Sequence, residues 1–471
     1  MAEGVFNVAI VGGGPGGYVA AIRARQLGLT TVLIEKDKLG GRCLNYACIP
    51  AKAVLRSADV LEELRKSATY GVTLPDGVQP GVDFSTVAKR RDRVVKTMTG
   101  GVGGLMKKNN VLVVDGEATF AAPTEAGIVD LHVTTAEGVQ LVRADHVVLA
   151  TGSVALPIPA IGANFAGPIV DTAGAWLAST LPASLAVIGA GASGVEVASA
   201  FGRLGVQVTL LESMPQILPA EEHQIAELLG KELAKQNVKV VTDAQIAQVT
   251  ASGGGVEIDF NGERHQFAQL CIAAGRAPDV ASLNLPAVGV ATDERGEIQI
   301  AADQRTSNPQ VFAIGDTVRG PALAHKASEE GVVAIETIAA HPGAHPIYVE
   351  NIPRATFCSP QVASIGLTEA QAMAAGFQVA IGEFPLAAAG AATVHGDRMG
   401  LVKIVGEVTS GAILGAHAIG AKAADLIAEL AVAKSAGVTY PQLARIIHAH
   451  PTISEAVLEA ARATEGWALH A

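Results

Sequence analysis

A glycine-rich segment occurs twice in this 471-residue chain, in the same register. The first copy reads AIVGGGPGG from Ala9, and the second reads AVIGAGASG from Ala186. The two copies are offset by 177 positions, and the corresponding pairs are Gly12 and Gly189, Gly14 and Gly191, Gly17 and Gly194, and Glu35 and Glu212. A single glycine cluster is weak evidence, but two copies with an acidic residue at the same distance strongly indicate a repeated structural unit.

Each copy has the pattern of a strand, a tight glycine turn, a helix and a second strand that ends at the acidic residue. The first glycine permits the turn, the second lets the backbone approach a pyrophosphate, and the third packs the helix against the strand. A carboxylate at the end of the second strand can accept a hydrogen bond from a ribose hydroxyl. The chain is therefore predicted to bind two dinucleotides in two doubly wound domains. For either cluster alone, the alternative is an ordinary turn.

The acidic residue of the second copy predicts which nicotinamide coenzyme binds there. Glu212 would repel a 2′-phosphate, and no arginine occurs in the ten positions that follow it. The second site is therefore predicted to prefer NAD over NADP. The alternative is that Glu212 is only a solvated strand end.

Two further apolar strands end in residues suited to a ligand. VVLATG closes at Thr151 and Gly152, and QVFAIGD closes at Asp316. Ligands of doubly wound sheets lie at the carboxyl ends of the strands, so Asp316 is placed to bond a cofactor hydroxyl. Taken alone, Asp316 could equally cap the helix that follows it.

The last part of the chain has a different pattern. Residues 347–384 are typical of short strands and a helix, and the segments at 401–405 and 413–417 alternate as antiparallel strands do. Helices are predicted at 421–436 and 440–447. This pattern favours a separate α+β domain.

Two of the four cysteines lie five positions apart, in the segment GGRCLNYACIPAK that follows the first acidic strand end. If that segment is helical, Cys43 and Cys48 lie on successive turns, and a local distortion can bring the sulfurs to bonding distance. A disulfide held against an electron-accepting ring stores two electrons, and attack on it requires a thiolate. The alternatives are buried free cysteines or an inert crosslink. No metal site is predicted, because no second cysteine or histidine pair has ligand spacing.

Thiol chemistry also requires a proton acceptor, and the tail segment HAHPTISE contains two histidines. A histidine held by a carboxylate is a suitable general base near neutral pH. Glu455 could orient either His448 or His450. The alternative is a pair of surface histidines in a loop.

Charge and hydropathy restrict the partners. The chain has 34 basic and 45 acidic residues and a formal net charge of −11, which disfavours a nucleic-acid partner. No apolar run reaches the length of a membrane span, so no membrane partner is expected. The N-terminal residues lack the pattern of an export signal, and a cytoplasmic location is expected.

Taken together, these motifs resemble the class I flavoprotein disulfide reductases over essentially the whole chain, and within that family the dihydrolipoamide dehydrogenases. The matching segments lie at 40–52, 313–316, 319–327 and 448–455. The chain departs from the family pattern at Tyr46, Ala47, Ala51 and Ser193, none of which is a reacting group.

The resemblance implies FAD at the first dinucleotide site and NAD at the second. The residues implied to bind FAD are Gly12, Gly14, Gly17, Glu35, Lys52, Thr151, Gly152, Asp316 and Ala324. The residues implied to bind NAD are Gly189, Gly191, Gly194, Glu212, Gly275 and Arg276, the last two beside the nicotinamide nucleotide.

The resemblance also assigns catalytic roles. It implies that Cys43 is the thiol that meets lipoamide and that Cys48 is the charge-transfer thiol against the flavin. Lys52 and Glu196 would pair near the flavin. His450, oriented by Glu455, would serve as the base opposite the partner subunit's Cys43, so the site would be complete only in a homodimer.

The predicted fold class is α/β, with two Rossmann-like dinucleotide-binding domains and a C-terminal α+β dimerisation domain. The expected boundaries are 1–152 for the FAD domain, 153–276 for the NAD domain, 277–346 for a segment that completes the FAD domain, and 347–471 for the dimer interface.

The implied reaction is oxidation of protein-bound dihydrolipoamide, with electrons passing through the cysteine pair and FAD to NAD. The implied partners are lipoyl domains of 2-oxo acid dehydrogenase or glycine cleavage complexes. Competing hypotheses are a reductase of the glutathione or mercuric type, and a non-catalytic flavin-binding subunit. The first usually takes NADPH, which disfavours it beside Glu212, and mercuric reductases typically add a C-terminal cysteine pair, whereas the last cysteine here is Cys358.

Overall fold

The computed structural model describes residues 4–122 and 124–470, and the chain divides into two compact units. The first unit contains the residues up to Ala53 together with Thr86–Leu156 and Gly275–Val349. The second contains Val54–Ser85, Pro157–Ala274 and the residues from Glu350 onward. These units do not correspond one to one to the four predicted segments, whose boundaries stay a prediction.

Strands and helices are numbered in chain order. The strands of the first unit are β1 (Phe6–Val11), β2 (Thr31–Glu35), β3 (Leu112–Asp115), β4 (Glu117–Phe120), β5 (Val129–Thr135), β6 (Gly138–Leu149), β7 (Ser153–Ala155), β16 (Arg276–Pro278) and β17 (Val311–Ala313). Its helices are α1 (Pro15–Gln26), α2 (Gly41–Asn45), the start of α3 (Cys48–Lys66), α4 (Phe84–Lys108) except its first residues, and α8 (Ala324–Ile338).

A seven-stranded sheet forms the centre of the first unit. The strand order is β3-β2-β1-β6-β5-β4, and β17 pairs with β6. The pairs of β1 with β2 and β6, of β2 with β3, and of β6 with β17 are parallel. Val8, Ala9 and Ile10 in β1 are completely buried, as expected for a parallel strand covered on both faces. The apolar run before the first glycine turn therefore becomes the middle of the sheet.

Helices α1 and α8 pack closely on this sheet because glycines face each other across the contact. A Cβ on Gly16 would lie 2.9 Å from the carbonyl oxygen of Ala327, and one on Gly331 would lie 2.7 Å from the carbonyl oxygen of Gly16. Pro15 begins α1, where a missing amide hydrogen costs no helical hydrogen bond.

The second unit contains the second copy of the repeat and the C-terminal region. Its strands are β8 (Ile169–Asp171), β9 (Ser184–Ile188), β10 (Gln207–Leu211), β11 (Val238–Val241), β12 (Ile246–Ser252), β13 (Gly255–Phe260), β14 (Glu263–Phe267), β15 (Gln269–Ile272), β18 (Arg354–Thr356), β19 (Gln361–Gly366), β20 (Val379–Pro385), β21 (Gly400–Glu407) and β22 (Ile413–Gly420). Its helices are α5 (Thr172–Trp176), α6 (Ala192–Arg203), α7 (His223–Ala234), α9 (Glu369–Ala374), α10 (Gly390–His395), α11 (Ala423–Ser435), α12 (Tyr440–Leu443) and α13 (Glu455–Thr464), with the remainder of α3.

The second unit has one parallel and two antiparallel sheets. The parallel sheet has the order β11-β10-β9-β15-β8, and the unit β9-α6-β10 repeats the arrangement of β1-α1-β2. The C-terminal antiparallel sheet has the order β18-β19-β22-β21-β20. Together with the mixed, largely parallel sheet of the first unit, this arrangement confirms the predicted fold class of two Rossmann-like regions and an α+β region.

One C-terminal helix is shorter than predicted. The prediction of a helix at 440–447 holds only for Tyr440–Leu443, whereas α11 is close to the predicted 421–436. Beyond Leu443 the amides of Arg445 and Ile446 bond three residues back, so the chain tightens into turns before it reaches the histidines.

Candidate active site

The first glycine turn joins β1 to α1 and leaves no room for side chains at two of its positions. Gly12 has φ +105°, and a Cβ there would lie 2.3 Å from the carbonyl oxygen of Ala150. A Cβ on Gly17 would lie 1.8 Å from the carbonyl oxygen of Gly12. At Gly14, the N-cap of α1, the nearest atom to a Cβ would be Gly41 Cα at 3.9 Å. The backbone in front of the helix N-terminus can therefore be approached closely, as pyrophosphate binding requires.

The second glycine turn, between β9 and α6, has the same geometry. Gly189 has φ +96°, and a Cβ there would lie 2.7 Å from the carbonyl oxygen of Ala273. A Cβ on Gly194 would lie 1.9 Å from the carbonyl oxygen of Gly189. At Gly191 nothing would lie within 4 Å of a Cβ. The repeat in sequence is thus a repeat in backbone geometry.

The two strand-end carboxylates also correspond. Glu35 Oε2 accepts a hydrogen bond from the Gly13 amide at 2.6 Å, and Glu212 Oε2 accepts one from the Ala190 amide at 2.7 Å. The other oxygen of each carboxylate accepts from an amide two residues further along the chain, at 2.8 and 3.0 Å. Sequence reasoning assigned both carboxylates to ribose hydroxyls and missed that each also closes its own glycine turn. The constant spacing between the glycines and the glutamate was the sequence feature that could have indicated this second role.

Asp316 follows β17 and belongs to a polar cluster. The Ser153 hydroxyl donates a hydrogen bond to Asp316 Oδ2, and Arg276 Nε lies 3.8 Å from the same oxygen. Arg276 Nε also donates to Ser153 Oγ at 2.8 Å. The Thr151 hydroxyl oxygen is buried and has no hydrogen-bond partner among the described residues. Sequence reasoning placed Arg276 beside the nicotinamide nucleotide; in the structure its guanidinium bonds Ser153, and a nicotinamide contact stays a prediction.

A buried ion pair supports the turn that carries Asp316, and sequence reasoning missed it. Lys326 Nζ lies 3.0 Å from Glu330 Oε1 and donates to the Gly315 carbonyl at 2.9 Å, while Glu330 accepts from the Gly315 amide at 2.7 Å. Burial raises the pKa of Glu330, although Lys326 acts in the opposite direction. The spacing of four residues on one helix was the only signal in the sequence.

Three other predicted cofactor residues lie at the edges of this region. Gly152 has φ +75° and directly precedes β7. Gly275 precedes β16, and its carbonyl accepts from the Leu156 amide at 3.2 Å. Ala324 is the first residue of α8.

Cys43 and Cys48 lie on two helices separated by a break. Cys43 is in the short α2, and Cys48 is the first residue of α3. The amides of Tyr46 and Ala47 both donate to the Arg42 carbonyl, at 2.8 and 2.9 Å, so the second of these bonds spans five residues. This wide turn is a local distortion of the kind that would bring sulfurs five residues apart together, and the two thiols hydrogen-bond to each other.

The environment of the pair opposes loss of a proton. The hydrogen bond to Cys48 and partial burial raise the pKa of the Cys43 thiol above its ordinary value, whereas the charge of Lys52 acts to lower it. A base is therefore needed to generate a thiolate at this site.

The two histidines of the tail segment have different hydrogen-bond partners and different exposure. His450 Nδ1 lies 2.9 Å from Glu455 Oε1, and its side chain is 77% exposed. Both ring nitrogens of His448 have partners, Glu429 Oε1 at 2.6 Å and the Ile446 carbonyl at 2.9 Å, and its side chain is 6% exposed. Glu455 therefore orients His450 and not His448. Nε2 is the nitrogen of His450 that remains to take up a proton.

Glu455 is well suited to hold the histidine. Burial acts to raise its pKa, but the Thr452 amide, at 2.9 Å, and the His450 ring hold that pKa below its ordinary value. An ionised carboxylate on Nδ1 fixes the ring and favours protonation at Nε2.

The remaining predicted catalytic residues lie in different units. Lys52 is on α3, four residues after Cys48. Glu196 is buried on α6, and its Oε1 accepts from the Phe357 amide at 2.9 Å. Their pairing stays a prediction.

In the part of the chain that the structure describes, no group of three or more histidine, cysteine, aspartate or glutamate side chains is arranged to hold a metal ion. Among the helices described, none is both long and apolar enough to span a bilayer.

Two family models match nearly the entire chain. Residues 6–331 match the pyridine nucleotide-disulphide oxidoreductase family, and residues 352–461 match the dimerisation domain of that family.

The chain belongs to the pyridine nucleotide-disulphide oxidoreductases. Its assignment from motifs is thereby confirmed. The chain is 40% identical to the dihydrolipoyl dehydrogenase of Geobacillus stearothermophilus over 465 residues, which cover 98% of this chain and 96% of the relative. It is 38% identical to that of Halobacterium salinarum over 470 residues, which cover 98% and 97%.

Solved structures have the same fold over nearly their full length. LpdA from Mycobacterium tuberculosis superimposes with a TM-score of 0.89 at 26% identity, covering 97% of this chain and 98% of LpdA. The HOCl-induced flavoprotein disulfide reductase RclA from Escherichia coli, solved as a Cu(II) complex, gives 0.85 at 25% identity and covers 98% and 99%. The dimerisation domain of this oxidoreductase thus spans β18 to most of α13.

Proposed function

We propose that this oxidoreductase oxidises dihydrolipoamide to lipoamide and reduces NAD⁺ to NADH. The observation that carries the proposal is the cysteine pair: Cys43 and Cys48 lie in contact, directly after the first dinucleotide unit. Full-length relatives named dihydrolipoyl dehydrogenase support the substrate.

FAD is the cofactor that fits the first unit. The glycine turn from Gly12 to Gly17 would hold its pyrophosphate and Glu35 a ribose hydroxyl. Asp316 and the unpartnered Thr151 hydroxyl would bond the rest of the molecule. When bound, the flavin supplies two-electron transfer between the cysteine pair and the nicotinamide coenzyme. Lys52 and Glu196 are proposed to pair beside it.

Side chains of the two subunits perform the thiol chemistry. The partner subunit's His450, held by its glutamate, takes a proton from one thiol of dihydrolipoamide at Nε2. The resulting thiolate attacks Cys43 Sγ, the bond between Cys43 and Cys48 breaks, and Cys48 leaves as a thiolate. The partner subunit's His450 returns its proton to the departing Cys43 sulfur and takes the proton of the second substrate thiol, which attacks the substrate sulfur of the mixed disulfide, releases Cys43 as a thiol and closes the lipoamide ring. The two electrons of the substrate now reside on the reduced pair.

NAD is proposed to bind at the second glycine turn. Gly189, Gly191 and Gly194 would contact its pyrophosphate, and Gly275 and Arg276 are proposed to lie toward the nicotinamide. The buried carboxylate of Glu212 favours a free ribose hydroxyl over a 2′-phosphate.

The oxidoreductase is a homodimer through its dimerisation domain. We propose that its protein substrates are lipoyl domains of 2-oxo acid dehydrogenase or glycine cleavage complexes. A cytoplasmic location is part of the proposal, because disulfides in cytosolic proteins are usually transient and catalytic, as the proposed cysteine pair is.

A steady-state assay across three electron partners tests the function. Lipoamide, glutathione disulfide and mercuric ion would each be offered with NADH and with NADPH. We expect reduction of lipoamide with NADH to dominate. Faster turnover of glutathione disulfide or mercuric ion, or a preference for NADPH, would contradict the proposal. Bound FAD without any turnover would indicate a structural subunit instead.

A further inference from the structure

A row of five polar side chains crosses the sheet of the dimerisation domain. Each residue pairs directly with the next across neighbouring antiparallel strands, from β18 to β20. The polar row consists of Arg354, Ser364, His417, Lys403 and Glu383. Directly paired residues project from the same face of a sheet. Ser364 and His417 are completely buried and Lys403 is 3% exposed, so this face is covered by another part of the molecule.

The covering element begins at the proposed coenzyme site. We call residues 213–222 the strap, because they connect Glu212 at the end of β10 to Glu222, the N-cap of α7. The strap folds back over the second glycine turn, since the Leu218 amide donates to the Ala190 carbonyl at 2.8 Å. Ala190 is the residue whose amide bonds Glu212. The strap is therefore part of the wall of the glycine turn.

Two cations of the polar row hold the far end of the strap. Arg354 Nε donates to Glu221 Oε1 at 3.0 Å, and Lys403 Nζ donates to Glu222 Oε1 at 3.1 Å. The glutamate side chains are 8% and 9% exposed. Because both carboxylates are largely removed from water, these ion pairs are less screened than pairs between exposed side chains.

The attachment at Lys403 is reinforced from the dimerisation domain. Its Nζ also lies 2.6 Å from Glu369 Oε2, and the Glu369 amide donates to Glu222 Oε2 at 3.0 Å. Burial acts to raise the pKa of Glu222, but that amide and Lys403 keep it below its ordinary value. Glu222 therefore stays ionised and bonded near neutral pH.

The middle of the polar row makes no such attachment. Ser364 Oγ and His417 Nδ1 are buried and have no hydrogen-bond partner within the described residues. The cations on either side of them are thus the members of the row that bond the strap.

We propose that the dimerisation domain positions the coenzyme site of its own chain, with Arg354 and Lys403 as positioning residues that hold the strap against the second glycine turn. This inference rests on the proposed use of NAD at that turn. Releasing the strap would lower affinity for the coenzyme without touching the cysteine pair. Through the ion pairs with the strap, the sheet of the dimerisation domain would affect how tightly the coenzyme binds.

The test uses the flavin-loaded dimer and two readouts on Arg354→Gln. The first is the dissociation constant for NADH, measured by direct titration, which we expect to rise by about fivefold or more. The KM for dihydrolipoamide is the internal control beside these two readouts and should stay unchanged. The second is amide hydrogen exchange in the strap without coenzyme, which should become faster.

Three companion variants distinguish positioning from general damage. Arg354→Lys keeps the charge and should retain most of the affinity. Glu221→Gln should reproduce the effect of Arg354→Gln. The double variant should raise the dissociation constant for NADH by no more than either single substitution does. The matched control is Lys231→Ala, which removes an exposed charge from α7 where Lys231 pairs with Glu227, and should change neither readout.

Unchanged NADH affinity and unchanged strap exchange in folded Arg354→Gln and Glu221→Gln would overturn the inference. Equal losses of affinity for NADH and dihydrolipoamide would also overturn it, since a positioning role predicts a selective loss. A wild-type dimer that binds no NADH at all would instead refute the proposed function, which separates the two failures.

Discussion

Proton transfer controls the chemistry at the residue scale. The pKa of Cys43 lies above its ordinary value because the thiol bonds Cys48 and is partly buried, so the Cys43 thiol keeps its proton until a base removes it. His450 has the geometry of such a base, with Nδ1 on Glu455 and an exposed ring. His448, two residues earlier, has both nitrogens engaged.

Replacing His450 should therefore slow turnover more than replacing its neighbour. His450→Gln should lower kcat for dihydrolipoamide oxidation by about 10²-fold to 10⁴-fold, the usual contribution of a general base. His448→Gln is the matched control and should leave kcat within about threefold of wild type. Steady-state kinetics across pH would check both. Equal losses of kcat in the two variants would refute the assignment of His450 as the base.

Coenzyme preference is also predicted to depend on one residue, Glu212. Glu212→Arg should lower kcat/KM for NAD⁺ by about tenfold or more, equivalent to about 1.4 kcal/mol, because the turn loses its carboxylate and gains a cation that favours a 2′-phosphate. The ratio of NADH to NADPH activity is the measurement. Glu227→Arg, an equal change of charge on the exposed face of α7, should leave the ratio unchanged. A wild-type preference for NADPH would show that Glu212 does not exclude a 2′-phosphate.

At the scale of elements, the break between α2 and α3 shows what sequence can supply. From the spacing of Cys43 and Cys48, a local distortion is expected to bring the sulfurs together if the segment is helical, and the structure has two helices with a wide turn at Tyr46 and Ala47. The Tyr46 hydroxyl donates to Asp37 at 2.6 Å, a tertiary contact that no local pattern contains. Spacing predicts that the sulfurs meet, whereas the position of the break depends on contacts made after folding.

The contact of His448 with α11 gives an element-scale prediction. The hydrogen bond to Glu429 raises the pKa of His448 above its ordinary value, despite partial burial. A folded-state pKa above the unfolded value stabilises the fold fully below about pH 6.5, and this contribution is lost as pH rises through the folded-state value. Stability should therefore fall on alkalinisation through this range. His448→Gln should remove that part of the pH dependence.

Thermal unfolding between about pH 6 and about pH 9 would measure the effect. The comparison is between wild type and His448→Gln under identical ionic strength, with His345→Gln as a control for an exposed histidine. If the unfolding temperatures of wild type and His448→Gln changed with pH in the same way, the role assigned to the Glu429 contact would be contradicted.

At the scale of the whole molecule, repeated patterns were predictable and long-range registers were not. The glycine units could be predicted because every residue they require lies within one short segment, as from Gly12 to Glu35. The polar row could not, because Arg354 and Lys403 are brought together only by the register of a five-stranded sheet. The second hydrogen-bonding role of Glu212, closing its own turn, was missed for a related reason, since sequence shows a strand end and not the direction of its carboxylate.

A mixed dimer tests the proposal that two subunits build each active site. Cys43→Ser and His450→Gln are each expected to be inactive as homodimers. Co-expressed, they should form heterodimers in which one of the two sites is intact, giving about a quarter of wild-type activity for random pairing. Activity per bound flavin is the measurement. No recovery, despite demonstrated heterodimers, would place His450 and Cys43 of one chain in the same site.

The measurement that tests the central claim most directly is turnover and flavin content of Cys43→Ser. We expect the variant to retain FAD in the proportion found in wild type and to lose NAD⁺ reduction by dihydrolipoamide, while Cys271→Ala, at a buried thiol in β15, retains turnover. Full activity in Cys43→Ser, or a wild-type protein that purifies without flavin, would contradict electron transfer through the cysteine pair.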